Sequence, residues 1–169
     1  MADLPGADEG AIDEARYRQV LGHFPTGVTV ITAKTDTGPV GLAVGSFASI
    51  SLHPPLVGFF VGVSSSSWPR IREAGAFCVN ILAADQEDVC RVFASKGADK
   101  FAGLGWKPAA SGAPRLRDVL GWIDCDITDV FDAGDHQLCV GHVRELGVDV
   151  EHEHGPLVFY RGGYGRFEA

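Results

Sequence analysis

At 169 residues, 46% of them hydrophobic, the chain has the size and apolar content of one domain that buries its own core without disulfide or metal staples. Its 22 acidic residues outnumber 14 basic ones, and the net charge of −8 argues against nucleic acid or an anionic membrane as a partner. Any anionic ligand must therefore be met by a local arrangement of donors.

Residues 1–13, rich in Asp, Gly and Ala, read as a disordered tail ahead of one domain over 14–169. The acidic start lacks the basic flank of a secretory signal, and the longest apolar run, 56–63, is too short to span a bilayer, so the protein is expected in the cytoplasm. Tyr17, Val20, Leu21 and Phe24 fall at i, i+3, i+4, i+7 and predict a helix that Pro25 ends. β-Branched runs at 28–33, 40–44, 47–52, 56–63 and 77–82 predict strands, and their short connections favour antiparallel neighbours. Helices are expected from Ser67-Trp68-Pro69 and from Asp85 to about Phe93, the second with Asp85, Glu87 and Asp88 in its first turn. A loop over 95–120 precedes Ile123, Cys125 and Ile127, which alternate with Asp124, Asp126 and Thr128 as a strand with one buried and one polar face. Strands at 137–146 and 157–160 complete a mainly β chain, read as an antiparallel closed or partly open barrel with peripheral helices.

Several chemistries are missing. Gly103-Leu104-Gly105-Trp106 lacks the third glycine of a dinucleotide fingerprint, and no P-loop, nucleophile elbow or HExxH occurs. Cys78, Cys90, Cys125 and Cys139 show no CxxC spacing and read as small buried hydrophobes in a reducing compartment.

Four segments stand out, each with an ordinary reading beside a functional one. Phe24-Pro25-Thr26-Gly27 is a helix stop and strand start. The hydroxyls in Ser46-Phe47-Ala48-Ser49 either satisfy nearby backbone groups or face a ligand. The run Ser64-Ser65-Ser66-Ser67-Trp68 is either a serine helix cap or an anion site built from hydroxyls and free amides, with Arg70 or Arg72 assisting. His136, in Gly134-Asp135-His136, is a structural histidine or a catalytic one.

In order and spacing these segments resemble the short-chain flavin reductases, over about 16–167. The resemblance implies an FMN-binding split β-barrel, a homodimer, and reduction of FMN, or of FAD, by NADH or NADPH. Reduced flavin would then pass to a flavin-dependent monooxygenase, such as the one acting on phenolic secosteroids. Pro25, Thr26 and Gly27 would lie beside the flavin, with Ser46, Phe47, Ala48 and Ser49 along its ring. Val44-Gly45 stands where the family has Ala-Asn, which leaves only main-chain contact at Gly45. Ser64, Ser66, Ser67 and Trp68 would hold the phosphate, and Phe93 and Lys96 would border the flavin. His136 would be the catalytic residue, keeping nicotinamide C4 near flavin N5, with Asp135 orienting it and Tyr164 in a segment that closes over the pocket. His152 and His154 fall in a variable hairpin of the family and are read as no metal site. A flavoprotein acting directly on an organic substrate, or a non-catalytic flavin-binding barrel, are the rival readings.

Overall fold

A computed structural model describes residues 12–97, 99–148 and 153–167; most of the expected tail, and His152, lie outside them. In chain order the elements are α1 (Glu14–Leu21), β1 (Thr26–Gly27), β2 (Thr29–Thr35), β3 (Gly38–Val44), β4 (Ala48–Ser51), β5 (Leu56–Gly62), α2 (Trp68–Ala74) and β6 (Ala76–Ile81). They continue with α3 (Glu87–Ala94), β7 (Trp106–Pro108), β8 (Pro114–Leu116), β9 (Gly121–Ala133), β10 (His136–Val148), β11 (Leu157–Tyr160) and β12 (Gly163–Arg166).

The protein is mainly β, and its ladders are antiparallel, as the short connections predict. Seven strands form one sheet in the order β3-β2-β6-β9-β10-β5-β4. Its edge strands β3 and β4 do not pair with each other, so the sheet is not a closed barrel. One core nevertheless gathers Ile31, Leu42, Phe59, Phe77, Cys125 and Cys139 from six of these strands, with Ile71 and Trp68 of α2. Side chains so far apart in strand order meet only because the sheet curls round them. On the opposite face, Val30, Leu82, Phe93 and Leu157 form a second core beneath α3. β2 is thus buried on both faces, which explains why it reads as a continuous β-branched run.

The ends of the sheet differ from the sequence expectation. The 95–120 segment contains the β7–β8 hairpin, and the chain continues past Tyr160 into β12, which joins β11 and β1 in a small sheet. Asp124, expected on a polar face, is fully buried. It accepts from the Ser111 amide at 2.8 Å and the Ser111 hydroxyl at 2.6 Å, so the charge is satisfied by the segment that lies over it. Asn80 works alongside: its amide donates to Val30 O at 3.1 Å and its carbonyl accepts from Leu116 N at 2.8 Å, fastening β8 to the sheet.

α1 begins where Asp13 accepts from the amides of Ala15 and Arg16. The helix ends at Leu21 with Gly22 as its C-cap, short of the expected stop at Pro25, so Phe24 lies beyond it; Tyr17, Val20, Leu21 and Phe24 are all exposed and none enters a core. All four cysteines are buried and free. Among the described residues, no helix is long and apolar enough to cross a membrane.

Candidate active site

The β9–β10 turn sets the first functional group. Gly134 has φ +66°, a conformation that favours glycine, and the tight turn it permits makes His136 the first residue of β10. There His136 pairs with Gly62, the last residue of β5. A Cβ on Gly62 would stand at ordinary contact distance from both His136 Nε2, 3.8 Å, and Ser64 Oγ, 3.9 Å, so Gly62 lies between the imidazole and the serine loop. His136 Nδ1 lies 2.7 Å from Asp135 Oδ1. An ionised carboxylate only accepts, so Nδ1 carries the hydrogen and Nε2 is the nitrogen free for a ligand. The same hydrogen bond to His136 holds the Asp135 carboxyl below the usual range.

Gly62 and His136 belong to a cavity of about 400 Å³ whose floor comes from β3 and β5 and whose walls include 64–67, Phe93, Lys96 and Lys100. Ser67 precedes α2 but makes no capping hydrogen bond with its side chain; Ser65 Oγ instead accepts from Trp68 N at 3.3 Å. The hydroxyls of Ser64, Ser66 and Ser67 have no partner among the described residues. α2 has only seven residues, so the donors this corner offers are the loop's own amides and hydroxyls rather than a long helix dipole. Lys100 Nζ donates to Phe93 O at 2.8 Å and Gly41 O at 3.3 Å, and burial lowers its pKa.

The profile of the flavin reductase like domain matches residues 21–168. The chain belongs to this family. It is 52% identical over 160 residues to a flavin reductase of Pseudomonas putida, covering 94% of this chain and 93% of that one. It is 48% identical over 154 residues to the reductase subunit HsaB of a flavin-dependent monooxygenase from Rhodococcus jostii, covering 91% and 78%. Among solved structures, nitrilotriacetate monooxygenase component B from Mycobacterium thermoresistibile superposes with a TM-score of 0.90 at 47% identity, covering 94% of this chain and 88% of that one.

The residues of this flavin reductase like domain fit a flavin phosphate and ring. Unpaired hydroxyls and two lysines suit an anion, while Gly62, Gly45 and Phe93 suit a flat apolar body. Of the residues singled out from sequence, the cavity brings together Ser46, Ser64, Ser66, Ser67, Phe93, Lys96 and His136. Ser46 has a second task, since its hydroxyl donates to Phe60 O at 2.8 Å and accepts from Phe60 N at 3.0 Å. Thr26 and Gly27 sit one layer back: a Cβ on Gly45 would fall 2.8 Å from Thr26 Oγ1, so β1 backs the rim without lining it. Pro25 is an exposed residue just before β1, Ala48 and Ser49 lie on the edge strand β4, and Phe47 packs on the main core.

Trp68 is only 3% exposed and stands edge-on to Phe59 in that core. Its indole donates to Gln137 Oε1 at 2.7 Å, and Gln137 Nε2 donates to Asp132 Oδ1 at 2.8 Å, so it braces the turn that carries His136. Tyr164 also lies outside the cavity, its hydroxyl 3.3 Å from Cys90 Sγ and its ring under Arg91, and its pKa is pushed up to about 12, chiefly by the Cys90 contact. Asp135 touches the site through His136, and Arg70 faces away from it toward Thr35 and Thr37. His154 Nε2 lies 3.6 Å from Asp85 Oδ2.

Sequence reasoning missed Lys100, Gly62 and Phe60. Phe60 had one signal, a bulky apolar residue in β5 that stays 44% exposed beside His136. For Lys100 the spacing of four from Lys96 was the only trace.

Proposed function

We propose that this chain is an NAD(P)H-dependent flavin reductase that supplies reduced FMN or FAD to a partner monooxygenase. The observation that carries the reading is one cavity lined together by unpaired serine hydroxyls, by Lys96 and Lys100, and by His136. A bound flavin supplies the hydride acceptor, N5, and the chain contributes alignment. The serine loop and Lys96 fix the phosphate, Phe93 and the β3 backbone border the ring, and His136 Nε2 holds the nicotinamide. No general acid–base pair is needed for hydride transfer between two cofactors, in keeping with a site whose ionisable groups serve charge and position.

The curled seven-stranded sheet is consistent with a split barrel forming one domain over 14–169. The exposed apolar stripe of α1 is the surface we assign to a homodimer, which light scattering would detect as twice the chain mass. Four unpaired thiols accord with a cytoplasmic site of action. A steady-state assay crossing NADH and NADPH with FMN, FAD and riboflavin tests the activity. Nicotinamide oxidation that depends on added flavin supports it; flavin binding with no nicotinamide consumption leaves only a flavin-binding barrel, and turnover that requires an organic acceptor favours direct substrate reduction.

A further inference from the structure

Beyond the serine loop lies a second hollow, of about 420 Å³. Ser66, Ser67 and Lys100 line both cavities, so they form a common wall. The far side carries Thr37, Arg70 and Phe101. Arg70 Nη2 donates to Thr35 Oγ1 at 3.3 Å and Thr37 Oγ1 at 3.1 Å, and no carboxylate pairs with it among the described residues. Asp99, the acidic residue of the hollow, turns its Oδ1 to its own loop, accepting from Phe101 N and Ala102 N at 3.1 Å each. Phe101 is fixed edge-on between Phe93, at 5.1 Å, and Trp106, at 6.4 Å. A cation oriented by neutral hydroxyls and an immobilised aromatic ring thus face one hollow in a protein of net charge −8. Both are in position before any ligand arrives, which lowers the ordering cost of binding.

Given a flavin ring in the first cavity and its phosphate at Ser66 and Ser67, as proposed above, FMN ends at the common wall. FAD does not: a second phosphate and an adenosine continue from the first. We propose that the second hollow receives the adenylate half of FAD, with the second phosphate against Arg70 and the adenosine beside Phe101. Arg70 then decides between FAD and FMN. The nicotinamide coenzyme also carries an adenylate, but its reacting end must meet His136, which lines the first cavity and not the second. There a third hollow, lined by Tyr17, Arg18, Phe60 and His136, offers it separate space.

The test is flavin binding, followed by quenching of flavin fluorescence with FMN and FAD in parallel. Arg70→Ala loses a charge-assisted contact, so its Kd for FAD rises about tenfold while that for FMN stays within about twofold. Thr37→Trp, which fills the hollow from an exposed position, gives the same FAD-selective loss. Equal losses for both flavins would assign Arg70 to the first phosphate and overturn the proposal. So would unchanged FAD binding in both variants with thermal midpoints like the parent's, or a rise confined to the KM for NADPH. A parent protein that binds neither flavin refutes the flavin reading itself, whereas tight FMN binding with no Arg70 effect refutes only the adenylate site.

Discussion

Ser66 and His136 line one cavity, and each can be questioned separately. Ser66 is exposed on the loop and has no internal hydrogen bond to lose, so Ser66→Asp changes the charge facing a ligand without disturbing the core. A carboxylate set against a phosphate costs a charge-assisted bond and adds repulsion, and the affinity for FMN should fall tenfold or more. Riboflavin, which has no phosphate, should be nearly unaffected; parallel titrations of the two decide it. His136→Ala removes the nitrogen we assign to the nicotinamide while leaving the serine loop intact. A loss of about 1–2 kcal/mol, or roughly ten- to thirtyfold in kcat/KM for NADH, is expected with little change in flavin affinity. Stopped-flow reduction of bound flavin measures it, and reduction as fast as in the parent would return His136 to a purely structural role. The Ser64–Ser67 run and the Gly134-Asp135-His136 triplet were legible because both are local signals. Trp68 was not, since its burial depends on Phe59 and Gln137, far away in the chain.

Elements with their own periodicity were read with nearly correct bounds, except that α1 ends at Leu21, three residues before the expected Phe24. α1, β2, β5 and α3 each carry a hydrophobic pattern of period two or 3.6, or a continuous doubly buried run. The β7–β8 hairpin carries none: its strands have three residues each, contain prolines, and on β7 all face solvent. It exists because Asn80, Thr32 and Asp124 reach it from the sheet, and contacts at that sequence separation leave no local trace. For the same reason Asp124 looked like a solvent-facing residue when it is the anchor of the segment above it. Asp124→Ala strands the Ser111 amide and hydroxyl, and should destabilise the protein by about 1–3 kcal/mol. Urea unfolding monitored by circular dichroism tests this; an unchanged midpoint would mean that the hairpin is not held by that carboxylate.

At the scale of the whole molecule, the buried thiols couple folding to alkaline pH. Burial pushes Cys78 and Cys139 up to about 12 from an ordinary 9.0, and it raises Cys125 as well, with Asp124 adding to the rise at Cys78 and Cys125. The folded state therefore holds these protons more tightly than the unfolded chain. The stabilisation is complete below about pH 9 and is lost progressively as pH climbs toward 12. Denaturant midpoints should fall over that range, and Cys139→Ala should flatten the decline; equal slopes would refute the coupling. Tyr164, also raised to about 12, contributes in the same direction. Native protein should likewise resist thiol-labelling reagents until it unfolds.

The Ser46 hydroxyl has a wider consequence. β4 pairs with β5 only as far as Gly58, so beyond that point Phe60 would present a bare strand edge. Ser46 occupies the place of a missing strand with one oxygen, serving both the amide and the carbonyl of Phe60. The latch joins the end of β3 to β5, the two sides between which the sheet stays open. In amide hydrogen exchange, the Phe60 N–H should be protected while its acceptor is a side chain rather than a neighbouring backbone. Ser46→Ala should then release that single amide to solvent, raising its exchange rate by an order of magnitude or more while Phe59, inside the core, keeps its protection. If the rate at Phe60 does not change, the opening beside the cavity is closed by the curvature of the sheet alone.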